Sequence, residues 1–141
     1  MTQKEMTEKG LLMVPDLNYG FNHYPYEIIT LSPPALKQFL LAKITENGWE
    51  NSYVDFYYGE LSTEQQDNVE AMLEAEQREY LAGMKFYPGE VYFPLDRELF
   101  ELTFLLSVRE GLFSTYYFGR NPCTVWSNYS GRFVVFYQEQ N

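Results

Sequence analysis

The stretch 112–137 constrains the fold more than any other part of the chain. Three runs rich in aromatic and β-branched residues, 112–118, 124–127 and 132–137, are separated by the turn clusters Gly119-Arg120-Asn121-Pro122 and Asn128-Tyr129-Ser130-Gly131. Short turns at that separation predict antiparallel hairpins, because only a long crossover could make the strands parallel. A meander of this kind needs an apolar element packed against it. The segment from Asp96 to just before Gly111 supplies one. Its Leu99, Phe100, Leu102, Phe104, Leu105, Leu106 and Val108 fall on nearly every side, which predicts a largely buried helix.

Upstream the punctuation is equally clear. Glu27-Ile28-Ile29-Thr30-Leu31 predicts a first strand. Ser32 as a cap, Pro33-Pro34 in the first turn and Gly48 at the exit frame a helix whose Leu36, Phe39, Leu40 and Ile44 recur at helical spacing. Residues 53–58 read as a strand closed by Gly59. Ser62 with Gln65 three positions later is a capping-box pair, and the helix it opens is expected to run to about Ala82, with Gly83 closing it. Residues 1–10 are polar and are expected to fray. The expectation is one α+β domain over 1–141, with about three helices and a C-terminal antiparallel β-meander packed on the buried third helix.

A chain of 141 residues that is 45% hydrophobic and 18% aromatic has the material for one core and is no disordered chain. Cys123 is the single cysteine, so no internal disulfide can form, and it is expected to be a small buried hydrophobe. No Cys/His cluster has zinc spacing, and neither metal nor cofactor is expected. The first ten residues lack the apolar run of a signal peptide, and the longest apolar stretch, 102–108, is too short for a membrane span. Cytoplasmic residence without membrane association is the expectation.

Charge is the main pointer to function. Twenty acids against ten Lys and Arg give a net charge of -10, which disfavours direct nucleic-acid or anionic-lipid binding and attracts basic proteins. The acids concentrate between Glu60 and Glu79, where Arg78 is the one cation. On a helical wheel Glu64, Asp67, Glu70 and Glu74 share an arc opposite Val69, Leu73 and Tyr80. Most charge runs are solvated faces. The functional alternative is a stripe whose self-repulsion a basic partner relieves. Glu76 projects towards the apolar side, and if buried it requires a partner such as Arg97 or Arg109.

Thirteen tyrosines form the second pointer. Tyr19, Tyr24 and Tyr26 surround His23 in a loop, Tyr53, Tyr57 and Tyr58 share a strand, and Tyr129 sits in a turn. Many are expected in the core with the hydroxyl at the rim; the loop tyrosines and Tyr129 are better interface candidates. Trp49 and Trp126 read as core anchors before binding platforms. Catalytic signals are weak: His23 has no recognisable nucleophile, acid pairs such as Asp55 with Glu60 or Glu90 with Asp96 arise by chance in any acidic chain, and there is no Gly-rich phosphate loop. The leading expectation is therefore a protein-binding inhibitor that is not an enzyme. Its contacts would be Glu60, Glu64, Asp67, Glu70, Glu74, Tyr24, Tyr26, Tyr57 and Tyr129, and its partner a basic protein such as a toxin, nuclease or defence enzyme. An immunity protein against a nucleic-acid-degrading toxin fits first, and a phage or plasmid inhibitor mimicking nucleic acid second. A small-ligand or carbohydrate-binding domain with an aromatic pocket competes from a different class. A concave aromatic pocket of a few hundred Å³ separates that class from a flat surface mixing carboxylates and rings.

Overall fold

The computed structural model describes residues 1–138. Its first half runs α1 (Gln3–Glu8), α2 (Leu17–His23), β1 (Tyr26–Thr30), α3 (Pro33–Asn47) and β2 (Ser52–Asp55). There follow α4 (Thr63–Glu70), α5 (Ala75–Ala82), β3 (Tyr92–Pro94), α6 (Arg97–Val108), β4 (Thr115–Phe118), β5 (Cys123–Trp126) and β6 (Arg132–Tyr137). The fold is α+β, but the described residues hold six α-helices and six strands, which corrects the expectation of about three helices and a C-terminal meander. The hairpins β4–β5 and β5–β6 do form, yet they are the middle of a larger antiparallel sheet ordered β1-β6-β5-β4-β2-β3.

The extra helices follow from what the central strands demand. Phe133, Val134, Val135 and Phe136 are all buried, as are all four residues of β4, so the sheet is covered on both faces. One face carries Val54, Tyr116, Phe118, Val125, Phe133 and Val135, packed against Leu36, Leu40 and Ile44 of α3 and Leu99, Phe100 and Leu102 of α6. The other face carries Tyr117, Val134 and Phe136, and the N-terminal segment covers it with Met6, Leu11 and Val14. Residues 1–10 therefore do not fray. Thr2 and Glu5 form a capping box, Met6 is fully buried, and Met1 and Tyr92 exchange two backbone hydrogen bonds. Further along, a Cβ at Gly20 would lie 2.4 Å from the Phe136 ring, so only glycine lets α2 approach the sheet this closely.

The helix expected from Ser62 to Ala82 is broken at 71–74. The break is held by hydrogen bonds that involve side chains, one of them distant in sequence: Arg109 Nη1 donates to the Met72 carbonyl at 2.8 Å, Arg78 Nη1 donates to the Leu73 carbonyl, and Glu74 N donates to the Gln77 side chain at 2.9 Å. Those bonds replace the helical ones lost at the break and let Val69, Leu73 and Leu81 all reach the core. The strand expected over 53–58 is also shorter, ending at Asp55. On the helical side α6 behaves as anticipated, with Asp96 as its cap and Thr103 Oγ1 2.9 Å from the Tyr116 hydroxyl.

Phe104 is 6% exposed and stacks on Phe100 with ring centroids 5.9 Å apart. Replacing it with alanine is expected to lower unfolding free energy by roughly 3–5 kcal/mol in chemical denaturation. A loss under about 1 kcal/mol would show that α6 is not part of the core.

Candidate functional site

The predicted site residues are scattered over several parts of the surface. Glu64 and Asp67 are exposed on α4, Glu70 is half-buried beside Tyr58, and Glu74 lies beyond the break at the start of α5. One continuous stripe is thus absent. Glu60 turns inward along the surface and accepts the Gly89 amide at 2.9 Å. Glu76 is exposed and makes no contact with the core, so the burial it was suspected of does not occur. Instead Glu74 and Glu76 of α5 face Glu98 and Glu101 of α6 across a groove of about 420 Å³, with Arg97 and Tyr80 in its wall. The Tyr80 hydroxyl donates to Asp96 Oδ2 at 2.9 Å, tying α5 to the α6 cap, and burial pushes the Tyr80 pKa up, helped by that carboxylate.

The tyrosines behave differently. Tyr24 packs half-buried against the Val14, Val134 and Phe136 cluster. Tyr26 is exposed on the edge strand, its ring 4.7 Å from Phe21. His23 is exposed and stacks on Tyr19 at 3.8 Å. Tyr57 and Tyr129, by contrast, meet. Together with Phe113, Trp126 and Asp55 they line a cleft of about 320 Å³. Asp55, Thr115 and Trp126 project from the sheet face that the N-terminal segment covers, and Leu17 of α2 bounds the cleft on that side. Trp126, expected first as a core anchor, is half-buried and serves as a wall of this cleft.

Asp55 is the group that sequence reasoning passed over. Paired on paper with Glu60, it is instead 5% exposed, accepting the Thr115 amide at 2.8 Å on Oδ1 and the Tyr117 hydroxyl at 3.2 Å on Oδ2. Burial raises its pKa to about 6; hydrogen bonding from Thr115 and Tyr117 pulls the other way without cancelling it, and no cation compensates. Burial and the Asp55 charge in turn push the Tyr57 hydroxyl up to about 12. The available signal was alternation: Asp55 stands between Tyr53 and Tyr57 at strand spacing, a carboxylate where the pattern asks for a ring. Cys123 is buried, and desolvation pushes its thiol up to about 11, away from thiolate chemistry.

Compared with models of protein families, with curated proteins and with solved structures, the chain matches none. No helix among the described residues is long and apolar enough to cross a membrane.

Asp55 gives the fold a distinctive pH dependence. Its pKa is raised on folding, so its stabilising contribution is complete below about pH 4 and is lost as pH rises through 6. The groups facing it are the Thr115 amide and the hydroxyls of Tyr57, Tyr92 and Tyr117, all neutral in that range. Asp55→Asn lacks the titration. Denaturation at pH 4 and pH 8 is expected to show the variant gaining about 3 kcal/mol on the wild type over that interval. A difference that does not vary with pH would contradict an uncompensated buried carboxyl.

Proposed function

We propose that this chain captures and neutralises a basic protein, acting as an immunity-type protein that covers the active site of a nucleic-acid-degrading toxin. The observation that carries this reading is how few of its carboxylates are neutralised from within. Among the described residues both ion pairs end on one acid, Glu101, contacted by Lys37 at 2.5 Å and Arg97 at 3.9 Å. Other cations are engaged elsewhere: Arg78 and Arg109 on backbone carbonyls, Lys9 over the Tyr53 ring and Lys43 over Phe39 and Tyr137. The net charge of -10 is therefore expressed as potential outside the molecule.

The groove between α5 and α6 adds shape to that potential. Glu74, Glu76 and Glu98, the three of its glutamates outside those ion pairs, suit a loop bearing Lys and Arg, the side chains a nuclease presents to phosphates. Steering by the field speeds capture, and burial of a few anchors in the groove slows release. The chain acts by occupying a site, without catalysis or cofactor, and in the cytoplasm, where nucleic acid needs protection. A mimic directed at a host defence enzyme would use the same surface on another target.

The test is capture from a lysate of the source cell at low salt, followed by assay of the retained basic protein. That protein is expected to degrade nucleic acid and to lose this activity when the chain is added in equimolar amount. The triple variant Glu74→Lys, Glu76→Lys, Glu98→Lys is expected to unfold like the wild type but to associate at least about tenfold more slowly at low salt. No retained protein, or association indifferent to the reversals, would contradict the proposal.

A further inference from the structure

We propose that the cleft beside Asp55 is a receptor for one organic cation, a guanidinium or ammonium group on a short alkyl chain, held over the carboxylate by aromatic ring faces. The cleft lies on the sheet face away from the α5–α6 groove, so this inference stands independently of the captured partner. Four rings, Tyr57, Phe113, Trp126 and Tyr129, line a space of about 320 Å³ with Asp55 among them. A ring face carries the negative side of its quadrupole, and a cation held against several rings and a carboxylate is attracted by all of them at once.

Part of the hydrogen-bonding capacity of the cleft is already used. Both Asp55 oxygens already accept hydrogen bonds, from Thr115 N and the Tyr117 hydroxyl. Ser127 Oγ donates to the Ser114 carbonyl at 2.6 Å, and Asn128 Oδ1 accepts the Tyr129 amide at 2.8 Å. The Trp126 indole Nε1, buried without a partner among the described residues, remains free to donate to an acceptor atom on the ligand. No cation neutralises Asp55 from within, and its carboxylate acts on a bound cation through space whatever its hydrogen bonds.

The rim is built, at a conformational cost. Phe113 and Tyr129 meet edge to face, centroids 4.8 Å apart at 88°. The loops that bring them together each contain a non-glycine residue in the left-handed region, Glu110 at φ 58° and Ser130 at φ 59°. The Glu110 carboxylate accepts the Ser130 amide at 2.8 Å, locking one strained residue to the other. Strain of this kind persists only where the surroundings impose it, and it concentrates at binding sites. Tyr129 is left 63% exposed, a ring free to close on a ligand.

The experiment titrates the full chain with n-propylguanidinium and its neutral isostere n-propylurea at matched ionic strength, following the Trp126 indole N–H by NMR. The guanidinium is expected to move that resonance and to bind at least about tenfold more tightly than the urea. Asp55→Asn is expected to abolish the preference, and Tyr129→Leu, at an exposed position that does not threaten folding, to weaken guanidinium binding several-fold. N-acetyl-arginine methylamide separates the sources of the cation: binding as tight as n-propylguanidinium assigns the cleft to a side chain presented by a polypeptide, and markedly weaker binding to a free amine. Equal affinity for guanidinium and urea, or an unmoved Trp126 resonance, would overturn the proposal.

Discussion

The structure depends on a sheet whose central strands are apolar on both faces. Once Tyr116 and Val125 turn to one side, their neighbours Tyr117 and Trp126 must turn to the other, because alternation along a strand is obligatory. A single helical layer over α3 and α6 leaves the second face wet. Residues 1–24 resolve this by lying across it, with Met6 and Leu11 on Tyr117 and Val14 beside Val134 and Phe136. The cover is incomplete, and the gap beyond Leu17 is the cleft. The candidate cation site is therefore a consequence of how the second face is closed.

The same constraint explains what could be read in the sequence and what could not. Helices α3 and α6 and strands β1, β4, β5 and β6 were legible because cap, glycine and periodicity agreed locally. Residues 1–10 were misread because their polarity was judged alone; the signal lay at the far end of the chain, in the unbroken apolar run Phe133 to Phe136, which implies a second cover. The break at 71–74 was illegible for a similar reason. Arg109 lies 37 residues from Met72, and no local pattern announces that its guanidinium will cap that carbonyl. The cap of α6 shows a finer version: Gly111 suggested the exit, yet Glu110 takes the left-handed conformation, and the Met72 thioether packs against Gly111.

The two candidate sites divide along the two faces in the same way. The helical layer carries the carboxylates of α4, α5 and α6, most of them exposed and without internal ion pairs, and the proposed capture of a basic protein rests on that side. The face covered by the N-terminal layer carries the aromatic cleft, with one buried carboxylate, Asp55, in its lining. Sequence reasoning merged the two by placing tyrosines beside acids on one surface. Tyr57 and Tyr129 were named as interface candidates, but their convergence on one cleft was not legible, because it requires β2 and the turn after β5 to end at the same corner of the sheet.

The packing of residues 1–24 on the second sheet face is the claim on which the cleft and the layering both rest. Nuclear Overhauser contacts in the intact chain test it directly. The account predicts contacts from the Met6 methyl to the Tyr117 ring and from Gly20 Hα to the Phe136 ring, with the Gly20 resonance displaced by that ring. Random-coil shifts across residues 3–23 with neither contact would contradict it.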